Sequence, residues 1–387
     1  MKLNVFLNMY GKRRHIGILA EEGKRIFFQY APDFLKEKTE LSPFKLPLSN
    51  EVFEDKKQTF DGLFGLFNDS LPDGWGCLLL DRKLMNQGLS YQTITPLHRL
   101  SLIGKNPMGA LEYEPSEDSE DVLDLIELDA LSSEAEHILN GEPSQVFEEL
   151  LKLNGSSCGA RPKIVAYVSD DKKQIRHGGK NEDGYSDWLI KFSCRSDKPD
   201  IGLEEYVYSL MAKDAGIEMP ETYLFPSKNG YGHFGVKRFD RIGNEKVHVH
   251  TACGLLHASH RTSSIDYENL LKLTYVLTKD FREVVKMARL MIFNVLAENK
   301  DDHSKNFSFI LDRDNNWKLS PAYDLTKSMG INAEQTALVN QKGKDITQDD
   351  FLTVCRKFDI ADTTTLQMIE QVKSSLSNYS KLMKEFS

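Results

Sequence analysis

The chain has 387 residues, two to three times the usual length of one domain, so one small core is excluded and two or three structural parts are expected. Hydrophobic residues make up 40% and charged residues 28% of the chain, which excludes collagen-like, coiled-coil and wholly disordered classes. The 49 Lys and Arg residues against 58 Asp and Glu residues give a net charge of −9, which argues against broad electrostatic coating of nucleic acid but leaves a local basic patch open.

The N-terminal part shows patterns typical of short strands followed by a helix. Three apolar stretches within the first 28 residues, separated by polar turns, predict a β-meander. A Leu-Pro-Asp-Gly turn at 71–74 precedes a short predicted helix over 77–85. The acidic segment 116–136 is typical of a solvent-exposed helix face that joins two parts of a chain.

The second half changes to longer strands and then to helices. Strands are predicted at 164–168, 188–192 and 235–239, and the apolar spacing between the last two predicts a helix over 204–216. The C-terminal part is mostly helical, interrupted by a predicted β-hairpin over 306–319.

Cysteine usage and the length of apolar runs indicate the compartment. The five cysteines are widely spaced and form neither a CxxC pair nor a Cys/His zinc pattern. The N-terminus carries charges early and lacks the apolar core of a signal peptide, and no apolar run reaches membrane-spanning length. We therefore expect a cytoplasmic protein with reduced thiols and no membrane anchor.

The strongest chemical signal lies where an apolar helix runs into the polar loop 299–306 and leaves as a strand. Asp301 and Asn306 have the five-residue spacing of a protein-kinase catalytic loop, in which the Asp accepts the proton of the attacking hydroxyl and the Asn binds Mg²⁺. Asp302 is the adjacent alternative for the base, but the spacing to Asn306 favours Asp301. A plain polar turn between a helix and a hairpin would explain the same residues equally well.

A second carboxylate follows the predicted hairpin. Asp324 lies eighteen residues beyond Asn306, where the strand ends, and a kinase needs a metal-binding carboxylate at such a point. Alone, Asp324 would suit a helix cap or a turn.

A third segment, 155–163, is rich in small residues and leads into a strand. Its backbone N–H groups could contact phosphates, and Lys191 on a later strand could pair with them. The segment matches neither a Walker A nor a GxGxxG pattern, and a surface turn would explain it as well.

With these segments identified, the chain resembles the HipA family of bacterial serine/threonine kinases, the toxin halves of HipA–HipB toxin–antitoxin pairs. The resemblance covers nearly the whole chain and is carried by five segments in family order: the N-terminal signature 64–76, the phosphate loop 159–163, the hinge 238–241, the catalytic loop 299–306 and the metal motif 323–325. It implies an α+β, protein-kinase-like, two-lobed fold. The expected parts are an N-terminal β-rich subdomain (1–115), a nucleotide-binding sheet region (116–248) and a helical C-terminal lobe (249–387).

The resemblance also implies roles for individual residues. Asp301 would be the catalytic base, and Asn306 and Asp324 would bind Mg²⁺. ATP would contact Cys158, Gly159, Lys163, Lys191, the backbone of Lys237 and Phe239, Asp240 beside the ribose, His303, Lys305, Asn306, Tyr323 and Asp324. Ser156, or less favourably its neighbour Ser157, would be autophosphorylated. A phosphate in the segment 155–163 would repel the phosphates of ATP and so silence the kinase.

The function that the resemblance implies is an ATP- and Mg²⁺-dependent serine/threonine protein kinase that arrests growth as a toxin. Its partner would be a HipB-like helix-turn-helix antitoxin, through which alone it would meet DNA, and its substrate a translation component such as glutamyl-tRNA synthetase. Two alternatives stay open. An aminoglycoside-type phosphotransferase shares the Asp-to-Asn spacing and the following Asp, and a non-catalytic antitoxin-binding co-repressor could keep the same residues.

Overall fold

The computed structural model describes residues 1–116, 124–144, 146–154, 161–178, 181–193, 197–228, 230–258 and 265–387. The chain divides into two compact units. The first comprises Met1–Gly202, Tyr223–His250 and Gly254–His257, and the second comprises Leu203–Thr222, Thr251–Cys253 and Ala258–Ser387. The three-part division expected from the sequence stays a prediction.

The first unit begins with a five-stranded antiparallel sheet in which the predicted meander is present. Its strands are β1 (Lys2–Met9), β2 (Lys12–Glu22), β3 (Arg25–Tyr30), β4 (Val52–Glu54) and β5 (Leu111–Glu114), in the order β4-β3-β2-β1-β5. The apolar side chains at alternate positions of β1 are buried, as the period of a strand requires. The accompanying helices are α1 (Pro32–Glu37), α2 (Gly65–Asn68), α3 (Gly74–Asn86) and α4 (Pro96–Ile103). Helix α3 contains the short helix predicted over 77–85.

A six-stranded sheet forms the rest of the first unit. Its strands are β6 (Asp124–Leu125), β7 (Lys163–Ser169), β8 (Ile175–His177), β9 (Tyr185–Lys191), β10 (Thr222–Phe225) and β11 (His233–Lys237), in the order β10-β11-β9-β7-β8-β6. Helices α5 (Leu128–Leu139) and α6 (Phe147–Asn154) share one apolar core with this sheet. Short strands β12 (Arg241–Ile242), β13 (Glu245–Lys246) and β14 (His248–Thr251) follow.

The favoured prediction for the acidic segment 116–136, a solvent-exposed helix face, is only half right for its described part, because helix α5 forms but buries one of its faces. Residues 124–125 add strand β6 to the sheet. Leu128, Leu131 and Ala135 of helix α5 are buried in the core of that sheet. The apolar residues recur at helical spacing between the acidic ones, and this buried stripe outweighs the charge of the opposite face.

Helices dominate the C-terminal part of the chain. They are α7 (Ile201–Asp214), α8 (Ala252–Leu256), α9 (Tyr267–Thr278), α10 (Phe281–Leu296), α11 (Gln348–Arg356), α12 (Asp362–Leu376) and α13 (Tyr379–Glu385). Strands β16 (Ser308–Leu311) and β17 (Trp317–Leu319) form the predicted antiparallel hairpin, and β15 (Ile265–Asp266) pairs in parallel with β18 (Ala337–Leu338). Among the residues described, no helix combines the length and the apolar character needed to span a membrane.

Candidate active site

The catalytic loop follows helix α10, whose last turns are tightly packed. Met291, Ile292 and Phe293 are completely buried. After the loop the chain continues through the 3₁₀ turn Ser304–Asn306 into strand β16. Because buried elements fix both ends, the loop can hold its side chains at set distances.

The two adjacent aspartates of this loop differ in exposure. Asp301 is exposed. Asp302 is 0% exposed, and its carboxylate accepts hydrogen bonds from the Tyr267 hydroxyl at 2.8 Å, the Gln335 amide at 3.1 Å and the Ala337 backbone N–H at 2.9 Å. Burial raises the pKa of Asp302 to about 7, although these hydrogen bonds oppose the rise. A general base must contact the proton that it takes, so the geometry favours Asp301.

Both backbone polar groups of Asp301 are held by hydrogen bonds. Its N–H donates to the Ser328 hydroxyl at 2.7 Å, and its carbonyl accepts from the Asn306 side-chain amide at 2.8 Å. The second bond uses the amide nitrogen of Asn306, so the amide oxygen is the atom that this side chain offers to a metal. The predicted base and the first predicted metal ligand are therefore direct neighbours.

The metal motif lies beside the same loop. The Tyr323 hydroxyl donates to the backbone carbonyl of Lys305 at 2.6 Å and lies 2.5 Å from the Ser308 hydroxyl. These contacts join the residue before Asp324 to the residue before Asn306. Asp324 has a φ of 58°, a conformation that non-glycine residues adopt mainly where function or tight packing requires it. A carboxylate and an amide oxygen suit Mg²⁺, which prefers oxygen ligands, so the donor chemistry fits the predicted ion.

Two lysines of the first unit are cross-strand neighbours. Lys163 on β7 and Lys191 on β9 are register partners, and directly opposite residues of an antiparallel pair project from the same face. Lys163 is 3% exposed. Two cations on one face of a rigid sheet suit an anionic ligand such as a phosphate group.

Asp240 does not have the surroundings that the implied ribose contact requires. It is 0% exposed, and its carboxylate accepts hydrogen bonds from Arg238 at 2.7 and 2.9 Å, Arg241 at 2.7 Å and the Gly109 N–H at 2.8 Å. Burial by itself would raise the pKa of Asp240, but the two guanidinium charges outweigh it and hold that pKa below its ordinary value. We correct the expectation accordingly: Asp240 is a buried structural ion whose oxygens are occupied by protein groups.

The other predicted residues have varied positions. Lys237 ends strand β11 opposite Trp188, and Phe239 is half-buried beyond it. His303 is half-buried, whereas the side chain of Lys305 is only 6% exposed. Ser156, Ser157, Cys158 and Gly159, which belong to the small-residue segment 155–163, lie outside the described residues.

Sequence reasoning missed the residues that hold the loop from outside. Ser328 lies 27 residues after Asp301, and Tyr267 lies 35 residues before Asp302. No local pattern marks either one, because the contacts are made only after distant segments have packed.

The structure thus has an exposed aspartate, an asparagine and a second aspartate on neighbouring segments of the helical part, as the kinase prediction requires. The chain belongs to the HipA family. The HipA N-terminal domain matches residues 7–114, and the HipA-like C-terminal domain matches residues 155–379. The family assignment made from the sequence is therefore confirmed.

Two relatives described as putative kinases are distant in sequence. A putative kinase, Y4dM, of Sinorhizobium fredii is 24% identical over 286 residues, which cover 68% of this chain and 64% of that protein. A putative kinase of Haemophilus influenzae is 25% identical over 183 residues, which cover 44% of this chain and 51% of that protein. The chain thus spans between about half and two thirds of the length of these two relatives.

A solved structure supports the fold over the full length. A chain of the HipA, HipB and operator DNA complex from Shewanella oneidensis MR-1 matches with a TM-score of 0.72 and 17% identity, covering 99% of this chain and 90% of that one. The predicted α+β, kinase-like, two-lobed fold is confirmed by this likeness.

Proposed function

We propose that this protein is an ATP- and Mg²⁺-dependent serine/threonine protein kinase that acts as the toxin of a toxin–antitoxin pair. The observation that carries the proposal is the catalytic loop, where Asp301 alone of the two aspartates is exposed and donates its backbone N–H to Ser328. Asn306 is bonded to the same residue, and Asp324 follows a tyrosine bonded to that loop. Family membership supports the same reading.

In this proposal Asp301 would accept the proton of the acceptor hydroxyl while the hydroxyl oxygen bonds to the γ-phosphorus of ATP. The bond from that phosphorus to the β–γ bridging oxygen breaks, and ADP leaves. Asn306 and Asp324 would hold Mg²⁺, which neutralises and orients phosphate oxygens when bound. Lys163 and Lys191 would pair with phosphate groups, since each is a cation on a rigid strand. The backbone of Lys237 and Phe239 would bind adenine.

Regulation and partners are part of the same proposal. Phosphorylation of Ser156, with Ser157 as the alternative, would add a dianion to the phosphate loop and silence the kinase. A HipB-like antitoxin is the expected partner, since the similar solved chain comes from a complex with HipB and operator DNA. Glutamyl-tRNA synthetase remains the candidate substrate.

The test is transfer of labelled γ-phosphate from ATP, with Mg²⁺, to the protein itself and to lysate proteins. We expect Asp301→Asn to lower the rate by about a thousandfold, since a positioned general base contributes on the order of 10² to 10⁴. Asp324→Ala should abolish the dependence on Mg²⁺ together with the activity. Asp314→Asn is the matched control, because Asp314 is an exposed aspartate in the β16–β17 turn.

A wild-type protein that binds ATP and labels nothing would contradict the kinase proposal and favour the co-repressor. Labelling of an aminoglycoside in place of protein would favour the small-molecule phosphotransferase. Expression of the wild type, and not of Asp301→Asn, should arrest growth. Mass spectrometry of initially active protein, after incubation with ATP and Mg²⁺, should find phosphate on Ser156 or Ser157.

A further inference from the structure

A closed ring of hydrogen-bonded polar side chains lies behind the catalytic loop. The Asn299 amide donates to the Asn294 carbonyl oxygen at 3.0 Å, and the Asn294 amide donates to the Tyr267 hydroxyl at 2.9 Å. That hydroxyl donates to Asp302 at 2.8 Å. The Gln335 amide completes the circuit, since it donates both to Asp302 and to the backbone carbonyl of Asn299, each at 3.1 Å.

The ring is buried, and its donors and acceptors match in one arrangement only. All five members are at most 6% exposed. Each amide nitrogen meets an acceptor, and Asp302 meets only donors. Exchanging the oxygen and nitrogen positions of one side-chain amide would place two donors or two acceptors against each other. A buried polar group left without a partner in this way costs about 1–3 kcal/mol. The ring therefore has one strongly preferred geometry.

The ring constrains the backbone on both sides of Asp301. Asn299 and Asp302 belong to the ring and flank the dipeptide of Lys300 and Asp301. The carbonyl of Lys300 accepts hydrogen bonds from the Thr336 N–H at 3.2 Å and the Thr336 hydroxyl at 2.8 Å. The segment that supplies Gln335 thus also binds the backbone next to the predicted base.

We propose that this ring positions the catalytic loop, and that Asp302 is its central positioning residue. Asp301 would contact the acceptor hydroxyl, while Asp302 would fix the backbone from which Asp301 projects. The inference rests on the proposed kinase function. It adds to that function four further positioning residues, which would act through Asp301: Tyr267, Asn294, Asn299 and Gln335. Misplacing a reacting group by about 1 Å can cost on the order of a hundredfold in rate.

Two variants of the full-length protein open the ring without changing any exposed group. Tyr267→Phe removes the hydroxyl that joins Asn294 to Asp302 and keeps the aromatic ring. Asp302→Asn places an amide nitrogen against a donor in either orientation: against Tyr267 and Gln335, which both donate to Oδ2, or against the Ala337 N–H, which donates to Oδ1. Thr274→Val is the matched control, because it removes an equally buried hydroxyl from the same helix, α9. That hydroxyl donates to the Leu270 carbonyl at 2.7 Å, within the helix and away from the ring.

The readout is the separate measurement of kcat and of KM for ATP, with casein as the acceptor. We expect Tyr267→Phe to lower kcat about tenfold and Asp302→Asn about a hundredfold, each with KM for ATP within about twofold of wild type. Thr274→Val should lower the Tm by a similar amount and leave kcat unchanged. Equal kcat losses in Tyr267→Phe and Thr274→Val, or an unchanged kcat in Asp302→Asn, would overturn the inference.

Hydrogen exchange separates this inference from the kinase proposal. Opening the ring should speed exchange of the amides in 299–306 and 336–337 in both ring variants, and Thr274→Val should not. If the wild type transfers no phosphate, the kinase proposal fails, and the exchange result still decides whether the ring holds the loop. Unchanged exchange in Asp302→Asn would overturn the ring's role whatever the activity.

Discussion

Replacing Asp240 by asparagine tests whether this residue is a structural ion or a ribose contact. Its carboxylate lies between Arg238 and Arg241, whose side chains are each 9% exposed. It also accepts the Gly109 N–H, 131 residues away in sequence. The substitution keeps the shape and one acceptor oxygen but removes the carboxylate that hydrogen-bonds both arginines, while the buried carboxylate of Asp187 still attracts both of them.

The expected loss follows from the burial of the cations. Two guanidinium groups would remain in a buried site without a hydrogen-bonded carboxylate. The Pro107 carbonyl, which accepts from Arg241 at 2.9 Å, and the charge of Asp187 would compensate them only in part. Breaking a buried ion pair by removing one partner costs about 3–5 kcal/mol. Because asparagine retains an acceptor, we expect a fall of about 3 kcal/mol in the free energy of unfolding for Asp240→Asn.

Urea unfolding and ATP titration together provide the assay. If Asp240 is structural, the variant should lose stability, while the folded protein should bind ATP with a Kd within about twofold of wild type. If Asp240 contacts the ribose, the variant should bind ATP with a Kd raised about tenfold or more. Asp33→Asn is the control, since Asp33 pairs with Lys36 on the surface with its side chain 93% exposed, and should leave stability unchanged. Near-wild-type stability combined with weakened ATP binding would refute our reasoning.

Two further predictions concern the first unit. Lys163→Met should raise the Kd for Mg·ATP about tenfold, because it removes a cation that would pair with a phosphate group. Titration calorimetry checks this, and the exposed turn variant Lys173→Met should leave the Kd unchanged. Burial lowers the pKa of His257 to about 4 from 6.5, and its ring nitrogen accepts the Gly65 N–H at 2.9 Å. Since the unfolded chain binds this proton more tightly, the free energy of unfolding should fall by up to about 3 kcal/mol as the pH drops from 6.5 towards 4. A pH series of urea unfolding in which His257→Gln retains the full slope would disprove the assignment.

Features that depend on neighbouring residues were predictable from the sequence. The apolar run before residue 297, the polar loop and the alternation after Asn306 determine a helix, a loop and a strand locally, and the structure has all three. The choice of Asp301 over Asp302 as the base rested on spacing, and the opposite exposure of the two residues supports it. The roles of these residues remain predictions that the kinase assay tests.

Features that depend on strand register or on distant partners were not predictable. The proximity of Lys163 and Lys191 requires β7 and β9 to pair in one register, which neither segment specifies alone. The wrong expectation for Asp240 has a similar origin, since a charged strand end looks exposed until Gly109 and two arginines enclose it. The prediction for the acidic segment missed the buried face of α5, because the charges of this segment are more conspicuous in sequence than its apolar stripe.

The polar character of the ring behind the catalytic loop needs a physical reason, because stability alone does not supply one. A net hydrogen bond contributes only about 1 kcal/mol, and well-packed apolar side chains of similar volume are often as stable as buried polar groups. Apolar contacts are non-directional, however, so they would allow the backbone at Lys300 and Asp301 to shift. Hydrogen bonds weaken steeply with angle and distance, and a closed circuit of them admits little displacement. Accurate positioning of the loop backbone is therefore the advantage that explains polar side chains at the end of an otherwise apolar helix. The proposed reaction requires it, because the base must contact the acceptor hydroxyl.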